Sequence, residues 1–402
     1  MKNPDKRILL CTCITCALIL LFCGILKNLM GGTDEDRMIK VGFIYNMDES
    51  VPYTYNFVRA QHAIEAKYGD RVQTIVKSNV PEDDCEHAMR MLADEGCELI
   101  FITSYGYQET AKKLAQEYPE IQFCQATGDN ANAEPVLDNY HNFMGHIYEG
   151  RYVTGRVAGM KLKEMIEKGE LSPEDAKIGY VAAFPYSEVI SGYTAFFMGI
   201  RKEVPTAVMT VKYTGTWGDY TKEYRIAKEL IEDGCVLISQ HSDTIGPAVA
   251  CEEAAERTRV YHVGYSQSMI DVAPTTSLIS SRINWEPYML EAVDAVLNKR
   301  KIEKNMHASI NGNDAGAGFE HDWVVLLGLN DLIAADNTAE MINETVADLE
   351  KGKIAVFQGD YIGYDPYDPS DTWDLNNAYP ENEKASSPSF HYILDGVIKV
   401  EE

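Results

Sequence analysis

The chain has 402 residues, of which 45% are hydrophobic and 24% are charged. This length suffices for two cores, because a single core stops growing at roughly 250 to 300 residues. The formal net charge of −26 argues against a nucleic-acid-binding protein, since binding to phosphates needs clustered Lys and Arg.

The amino terminus carries an uncharged apolar stretch, residues 8–26, close to the ~20 residues that a helix needs to cross a bilayer. Basic residues precede this stretch and acidic residues follow it, a bias that predicts a cytoplasmic amino terminus and an exported remainder. We therefore predict that residues 1–37 form a membrane anchor or signal segment with a short tether. The rest of the chain is then held on the extracytoplasmic face of the cell membrane.

Three fates are open for this segment. Cys23 ends the apolar run and is placed for lipidation, although Phe22 stands where lipoproteins have a small residue. The second fate is an uncleaved anchor, and the third is cleavage by a signal peptidase, which is disfavoured because Ala17 is the only alanine present. The cysteines beyond the segment contain no CxxC pair, which favours small buried hydrophobic residues over a disulfide framework and leaves a single disulfide open.

From residue 39 onward, predicted strands alternate with predicted helices, a pattern typical of parallel α/β sheets. The predicted strands are 39–45, 71–77, 99–103, 121–126, 142–148, 178–183, 207–213, 236–240, 260–264, 277–283 and 322–329. The predicted helices are 54–67, 82–95, one ending at 118, 149–168, 186–201, 220–233, 245–258 and 285–299.

A segment of the first half recurs in the second half. Residues 92–100 (LADEGCELI) resemble residues 230–238 (LIEDGCVLI), and each copy predicts a helix end, a glycine that closes it and a strand. Two such units predict two lobes. Because ligands bind at the carboxyl ends of parallel strands, the facing edges of the lobes predict a cleft.

The last forty residues differ in character from the rest. Asp365, Asp368, Asp371 and Asp374 recur every three positions among Pro, Tyr and Ser. A calcium loop alternates its oxygen ligands and has a Gly and a distal Glu, so a solvated loop is the favoured interpretation. His141 and His146 are poorly spaced for a shared metal. We predict no metal site and no cofactor.

Catalytic motifs are absent from the sequence. It contains no G-x-G-x-x-G after the first strand, no phosphate-binding P-loop, no H-E-x-x-H and no G-x-S-x-G. Binding without turnover is therefore the simpler interpretation.

Aromatic and polar residues recur at the predicted strand ends. Flat π faces with a few polar groups suit a heteroaromatic ligand. The candidates are Tyr53, Tyr55, Tyr105, Phe184, Trp217, His241, Asp243, Tyr265 and Trp285.

Several stretches resemble the basic membrane protein (BMP) family, which are surface-tethered binding proteins for ABC importers of purines and purine nucleosides. The matching stretches are residues 148–155 (YEGRYVTG), 178–185 (IGYVAAFP), 213–219 (YTGTWGD), 240–243 (QHSD) and 263–265 (VGY). The family's Gly-Trp-Thr-Tyr loop corresponds to residues 52–55 (PYTY), which would place its stacking aromatic on Tyr53. The acidic residue that relatives have after the Gly-Tyr is replaced here by residues 266–268 (SQS).

The resemblance implies a type I periplasmic-binding-protein fold, with two Rossmann-like lobes joined by three crossovers near 142–148, 277–283 and 322–329. The lobes would comprise residues 38–145 plus 280–325, and 146–279 plus 326–402.

Our leading hypothesis is an extracytoplasmic solute-binding protein that captures a purine base or nucleoside for the permease of an ABC transporter. Tyr53 and Tyr55 would sandwich the ring with help from Phe184 or Trp217. Ser104, Glu149, His241 and Asp243 would supply polar contacts. A ligand-sensing ectodomain and a nucleoside-processing enzyme are the alternatives.

Overall fold

The computed structural model of the protein describes residues 37–401. The predicted membrane segment and Cys23 lie outside the described residues. None of the helices between residues 37 and 401 combines the length and the apolar character that a bilayer crossing requires. All the cysteines of this part of the chain are buried free thiols, as their apolar setting predicts: Cys85, Cys97, Cys124, Cys235 and Cys251.

The first sheet has the strand order β11-β12-β5-β4-β3-β1-β2, and its neighbours are parallel except for the β11–β12 pair. Its strands are β1 (Ile39–Ile44), β2 (Val72–Lys77), β3 (Leu99–Ile102), β4 (Gln122–Ala126), β5 (Tyr140–Gly145), β11 (Ser309–Asn311) and β12 (Asp314–Ala317).

The second sheet has the order β13-β10-β9-β8-β6-β7-β17, and only the β10–β13 pair is antiparallel. Its strands are β6 (Lys177–Ala182), β7 (Val208–Tyr213), β8 (Leu237–His241), β9 (Tyr261–Tyr265), β10 (Ser277–Ile283), β13 (Val324–Leu327) and β17 (Ile398–Glu401). A small third sheet contains β14 (Ile362–Tyr364), β15 (Thr372–Asp374) and β16 (Ile393–Leu394).

The helices pack on these sheets and bury separate apolar cores. They are α1 (Pro52–Tyr68), α2 (Cys85–Asp94), α3 (Gln108–Glu117), α4 (Ile147–Glu167), α5 (Ser187–Glu203), α6 (Tyr220–Glu232), α7 (Gly246–Ala254), α8 (Glu286–Leu297) and α9 (Thr338–Glu350). We call each large sheet with its helices a lobe. The two-sheet α/β architecture agrees with the predicted fold class.

The internal repeat is visible in the hydrogen bonds that end α2 and α6. Gly96 and Gly234 have φ values of +83° and +90°, a conformation that favours glycine. The next amide, of Cys97 or Cys235, donates to the carbonyl five residues earlier at 3.1 or 3.0 Å. The same glycine conformation and hydrogen bond thus end both helices, and the corresponding strands β3 and β8 follow directly.

Within residues 37–401 the chain passes between the two large sheets at three places: after β5, after β10 and after β12. Strand β10 lies wholly in the second sheet, so the second passage falls after Ile283 rather than at residue 280. The register of β10 shows why. Residues between Ser277 and Ser281 pair with β9, and Ser280 to Ile283 pair with β13, so both neighbours of β10 belong to the second sheet.

The sequence did not predict several elements near the carboxyl terminus. β11, β12, α9 and the strands after residue 360 are short or sparsely buried, so their periodicity is weak. β17 nonetheless extends the second sheet beside β7. The last part of the chain is thus a folded segment rather than a solvated loop throughout.

Candidate functional site

A small cavity of about 20 Å³ lies between the lobes, at the carboxyl ends of their parallel strands. In the first sheet the order of the strands changes direction between β3 and β1. Ligands of such sheets usually bind at this point, beyond the carboxyl ends of the strands. The cavity has room for about one water molecule, so binding of a small molecule requires the lobes to move apart. Its lining side chains are Asn46, Tyr53, Ser104, Tyr105, Thr127, Glu188, Trp217, His241, Asp243 and Tyr265.

Most of the residues predicted from the sequence are brought together there. The first lobe contributes Tyr53, Ser104 and Tyr105, and the second lobe contributes Trp217, His241, Asp243 and Tyr265. Each of these follows or ends a strand or begins a helix at the facing edges. Their contact with a ligand stays a prediction.

Four predicted residues lie elsewhere. Tyr55 is 43% exposed, because α1 begins at Pro52 and residues two apart on a helix point about 200° apart. Tyr53 and Tyr55 therefore do not sandwich one ring. Trp285 is 1% exposed and stacks on Phe57 at 4.5 Å within the core of the first lobe.

Phe184 and Glu149 also do not line the cavity. The Phe184 ring packs edge-on against Trp217 at 5.2 Å and so supports a residue that does line it. Glu149 is at the start of α4, beside the passages between the sheets, and its carboxylate accepts a hydrogen bond from the Phe319 amide at 3.1 Å. Its place in the fold is the hinge region rather than the cleft.

Sequence reasoning missed three lining residues: Asn46, Thr127 and Glu188. Asn46 comes two residues after β1, Thr127 directly after β4, and Glu188 in the first turn of α5. The rule that sites follow parallel strands would have included them. They have no aromatic ring, the feature that marks most of the other candidates in the sequence.

The lobes contact each other around the cavity. The rings of Tyr105 and Tyr186, from opposite lobes, are 5.4 Å apart. The Asn56 side-chain amide of α1 donates to the carbonyl of Ser266 after β9 at 2.8 Å. The structure therefore shows the cleft closed.

Asp243 stands on a loop that a second acid holds in place. Glu223 of α6 accepts hydrogen bonds from the Ser242 hydroxyl at 2.8 Å and the Thr244 amide at 3.1 Å. The Asp243 amide donates to the Trp217 carbonyl at 2.8 Å, which ties two cavity loops together. Burial, with the nearby charges of Glu223 and Glu188, raises the pKa of Asp243 well above its usual range.

Three lining side chains have a buried polar atom without a hydrogen-bond partner within residues 37–401: Asn46 Oδ1, Thr127 Oγ1 and His241 Nδ1. The Asp243 carboxylate, on a residue that is 5% exposed, also accepts no hydrogen bond from this part of the chain. Buried polar groups are normally hydrogen-bonded, so these groups are suited to a ligand that forms hydrogen bonds, and Asp243 and Asn46 Oδ1 to one that donates them.

A buried cation supports the part of the cavity wall formed by Tyr265. The Arg151 guanidinium lies 3.7 Å from the centre of the Tyr265 ring and donates to the Gln240 carbonyl at 2.9 Å. His241 Nε2 is 3.5 Å from a Glu188 oxygen. Burial lowers the pKa of His241, so the neutral imidazole is favoured. These contacts fix the Tyr265 and His241 rings before a ligand enters.

The periodic aspartates do not act as a group of four. Asp368 and Asp374 accept hydrogen bonds from Ser370 and from Asn376 within turns. Asp365 and Asp371 instead approach His391, with all three potential ligand atoms within 4.8 Å of one another. The pattern in the sequence therefore reflects two turns and one ion-pair cluster.

The comparisons with known proteins agree with this geometry. Residues 47–346 match the family model Bmp, described as ABC transporter substrate-binding protein, PnrA-like. The chain belongs to the Bmp family. The resemblance to basic membrane proteins predicted from the sequence is thus confirmed, and the family is one of substrate-binding proteins. Such proteins of ABC transporters work on the extracytoplasmic side of the membrane.

Two relatives match this Bmp protein over most of their length. A purine-binding protein from Brucella abortus is 29% identical over 331 residues, which are 82% of this chain and 86% of the relative. A putative ABC transporter glucose-binding protein from Haloferax volcanii is 28% identical over 333 residues, covering 82% and 78%.

A solved structure shares the fold of this Bmp protein. It is an ABC transporter solute-binding protein from Aeropyrum pernix, with a TM-score of 0.65 and 16% identity. The match covers 79% of this chain and 92% of that chain. Because the identity is so low, this similarity is evidence for the fold alone. The fold it supports is a periplasmic-binding-protein-like architecture.

Proposed function

We propose that the protein captures a purine base or purine nucleoside in the interlobe cleft and delivers it to the permease of an ABC importer. The observation that carries this proposal is that the Asp243 carboxylate and the Asn46 Oδ1 atom accept no hydrogen bond from residues 37–401, in a cavity walled by aromatic side chains. In this proposal residues 1–37 tether the protein to the membrane.

Asp243 determines which side of a ligand meets the second lobe. Purines carry ring and amino N–H donors, and a carboxylate accepts from such donors in strong, charge-assisted hydrogen bonds. A donor beside Asp243 would also stabilise its ionised form, which burial disfavours. Ligand binding therefore supplies the missing partner of a buried group.

The aromatic side chains of the cavity favour a planar ligand. Tyr53, Tyr105, Trp217 and Tyr265 come from both lobes, so a ring held among them bridges the lobes when they close. Binding-protein closure on a ligand is a hinge motion of this kind. The purine-binding relative supports a purine, whereas the glucose-binding relative makes a sugar the competitor to test.

The proposal predicts binding to purines and a specific loss on changing Asp243. In isothermal titration against adenine, adenosine, inosine, guanosine and D-glucose, we expect heat from at least one purine and none from glucose. We expect Asp243→Asn to weaken purine binding about tenfold or more, since hydrogen bonds to charged groups contribute about 1.5–3 kcal/mol.

The matched control is Asp368→Asn, which makes the same substitution in an exposed turn outside the cleft. Its affinity should equal that of the unmodified protein. No response to any purine, binding of glucose alone, or equal losses in both variants would refute the proposal.

A further inference from the structure

A loop near the carboxyl terminus bridges the two lobes through noncovalent contacts. We call residues 381–389 the clasp loop. It lies outside residues 47–346, the region that matches the family model. Its two ends are fixed on the second lobe, and its tip contacts the first.

The base of the clasp loop is closed by one side chain. The Glu381 carboxylate accepts hydrogen bonds from the amides of Ser389 at 2.6 Å and Phe390 at 2.9 Å. Phe390 is fully buried in the second lobe and stacks on Phe357 at 4.3 Å. The base is therefore rigid and belongs to the second lobe.

The tip of the clasp loop docks on the first sheet. The Ser386 amide donates to the Asp314 carboxylate of β12 at 2.9 Å. The Ser387 hydroxyl is 3.0 Å from the Thr127 carbonyl and 2.7 Å from the Gly128 carbonyl. Ser386 and Ser387 are only 5% and 8% exposed, so these hydrogen bonds are shielded from water.

Further contacts make the docking specific. The Asn311 side-chain amide of β11 donates to the Lys384 carbonyl. The tip also lies so close to β12 that a Cβ on Gly316 would be 2.8 Å from the Ser386 Cβ. Thr127, one of the residues held by Ser387, lines the ligand cavity.

From these contacts we infer that the clasp loop is an interlobe clasp, which limits how far the cleft opens and holds the cavity wall at Thr127. Opening rotates one lobe against the other about the three chain passages. Because the base moves with the second lobe and the tip is bonded to the first, full opening must break the buried hydrogen bonds of Ser386 and Ser387.

The experiment measures lobe separation in the ligand-free, full-length protein. Spin-labelled non-natural residues replace Glu49 after β1 and Lys222 at the start of α6, both exposed at the mouth of the cleft. Their distance distribution is recorded by double electron–electron resonance for the parent protein and for Ser387→Ala. We expect the ratio of open to closed populations to rise about fivefold on loss of this buried hydrogen bond.

The matched control is Ser389→Ala in the same loop, whose hydroxyl accepts from Tyr379 at 3.0 Å within the second lobe. It should leave the distribution unchanged. If circular dichroism shows that Ser387→Ala does not fold, Asn311→Ala at an exposed position replaces it. The ratio of open to closed populations should then rise in Asn311→Ala. An unchanged distribution in the folded clasp variant, or an equal change in Ser389→Ala, would overturn the inference. The measurement needs no ligand, so its failure is separate from failure of the proposed function.

Discussion

Glu149 shows how one residue of the hinge region couples stability to pH. It is 9% exposed at the start of α4, and burial raises its pKa to about 7, with Glu320 and Glu350 adding to the effect and the Phe319 amide opposing it. Its ordinary pKa is 4.5, so the folded protein binds this proton more tightly than the unfolded chain does.

We predict that Glu149→Gln flattens the pH dependence of stability between the two pKa values. The raised pKa contributes stability that is fully present below about pH 4.5 and is lost as the pH rises through about 7. Gln keeps an oxygen for the Phe319 amide but has no charge to bury. Between pH 4.5 and pH 8 the unmodified protein should therefore lose up to about 3 kcal/mol of stability that the variant keeps.

Urea unfolding at a series of pH values measures this difference. The exposed residue Glu256 provides the control, because Glu256→Gln should shift the curve by the same small amount at every pH. A curve for Glu149→Gln that runs parallel to the unmodified protein across the range would contradict the prediction.

At the scale of elements, α4 and α5 pack unusually closely because glycines face each other's backbone. A Cβ on Gly155 would lie 2.0 Å from the Phe196 carbonyl oxygen, and one on Gly199 would lie 2.2 Å from the Tyr152 carbonyl oxygen. Since the opposing atoms belong to backbone, they cannot move aside as a flexible side chain would.

We predict that Gly199→Ala destabilises the protein by about 2 kcal/mol or more, because the added methyl forces the two helices apart. This should exceed the small gain in helix propensity that alanine normally brings. The free energy of unfolding in urea measures the effect. Lys202→Ala, at an exposed position of the same helix, should stay within about 0.5 kcal/mol. Equal stabilities for the two variants would refute the close contact.

At the scale of the whole molecule, the net charge of −26 sets a background repulsion between the lobes and within each of them. In the cleft, Glu223 and Glu188 lie close enough to Asp243 that their charges add to the effect of burial in raising its pKa. A net charge of this size favours colloidal solubility and lowers the stability of the compact state through self-repulsion.

We predict that the melting temperature of the ligand-free protein rises by several degrees between about 10 mM and about 150 mM salt, over which the Debye length falls from about 30 to about 8 Å. Differential scanning calorimetry in NaCl and in KCl measures this. Equal rises in the two salts would identify screening as the cause, and a constant or falling melting temperature would show that favourable ion pairs dominate instead.

The local elements and the repeat were predictable from the sequence because they depend on neighbouring residues. The helix ends at Gly96 and Gly234 are encoded by a glycine placed directly after the last turn of the helix. Buried strands such as β3 and β8 are visible in the sequence as short apolar runs. Family membership also follows from the sequence, through stretches such as 148–155 and 240–243.

Which side chains share the cavity was decided only by the tertiary structure. Tyr53 lines the cavity while Tyr55 faces solvent, and Trp285 lies in a core, because helix phase and sheet packing set the direction of each ring. The contact between Ser387 and Thr127 joins residues 260 positions apart in the chain, and no local pattern encodes such a separation. The sequence by itself determined two α/β units and their family, and the packing of the lobes determined the site.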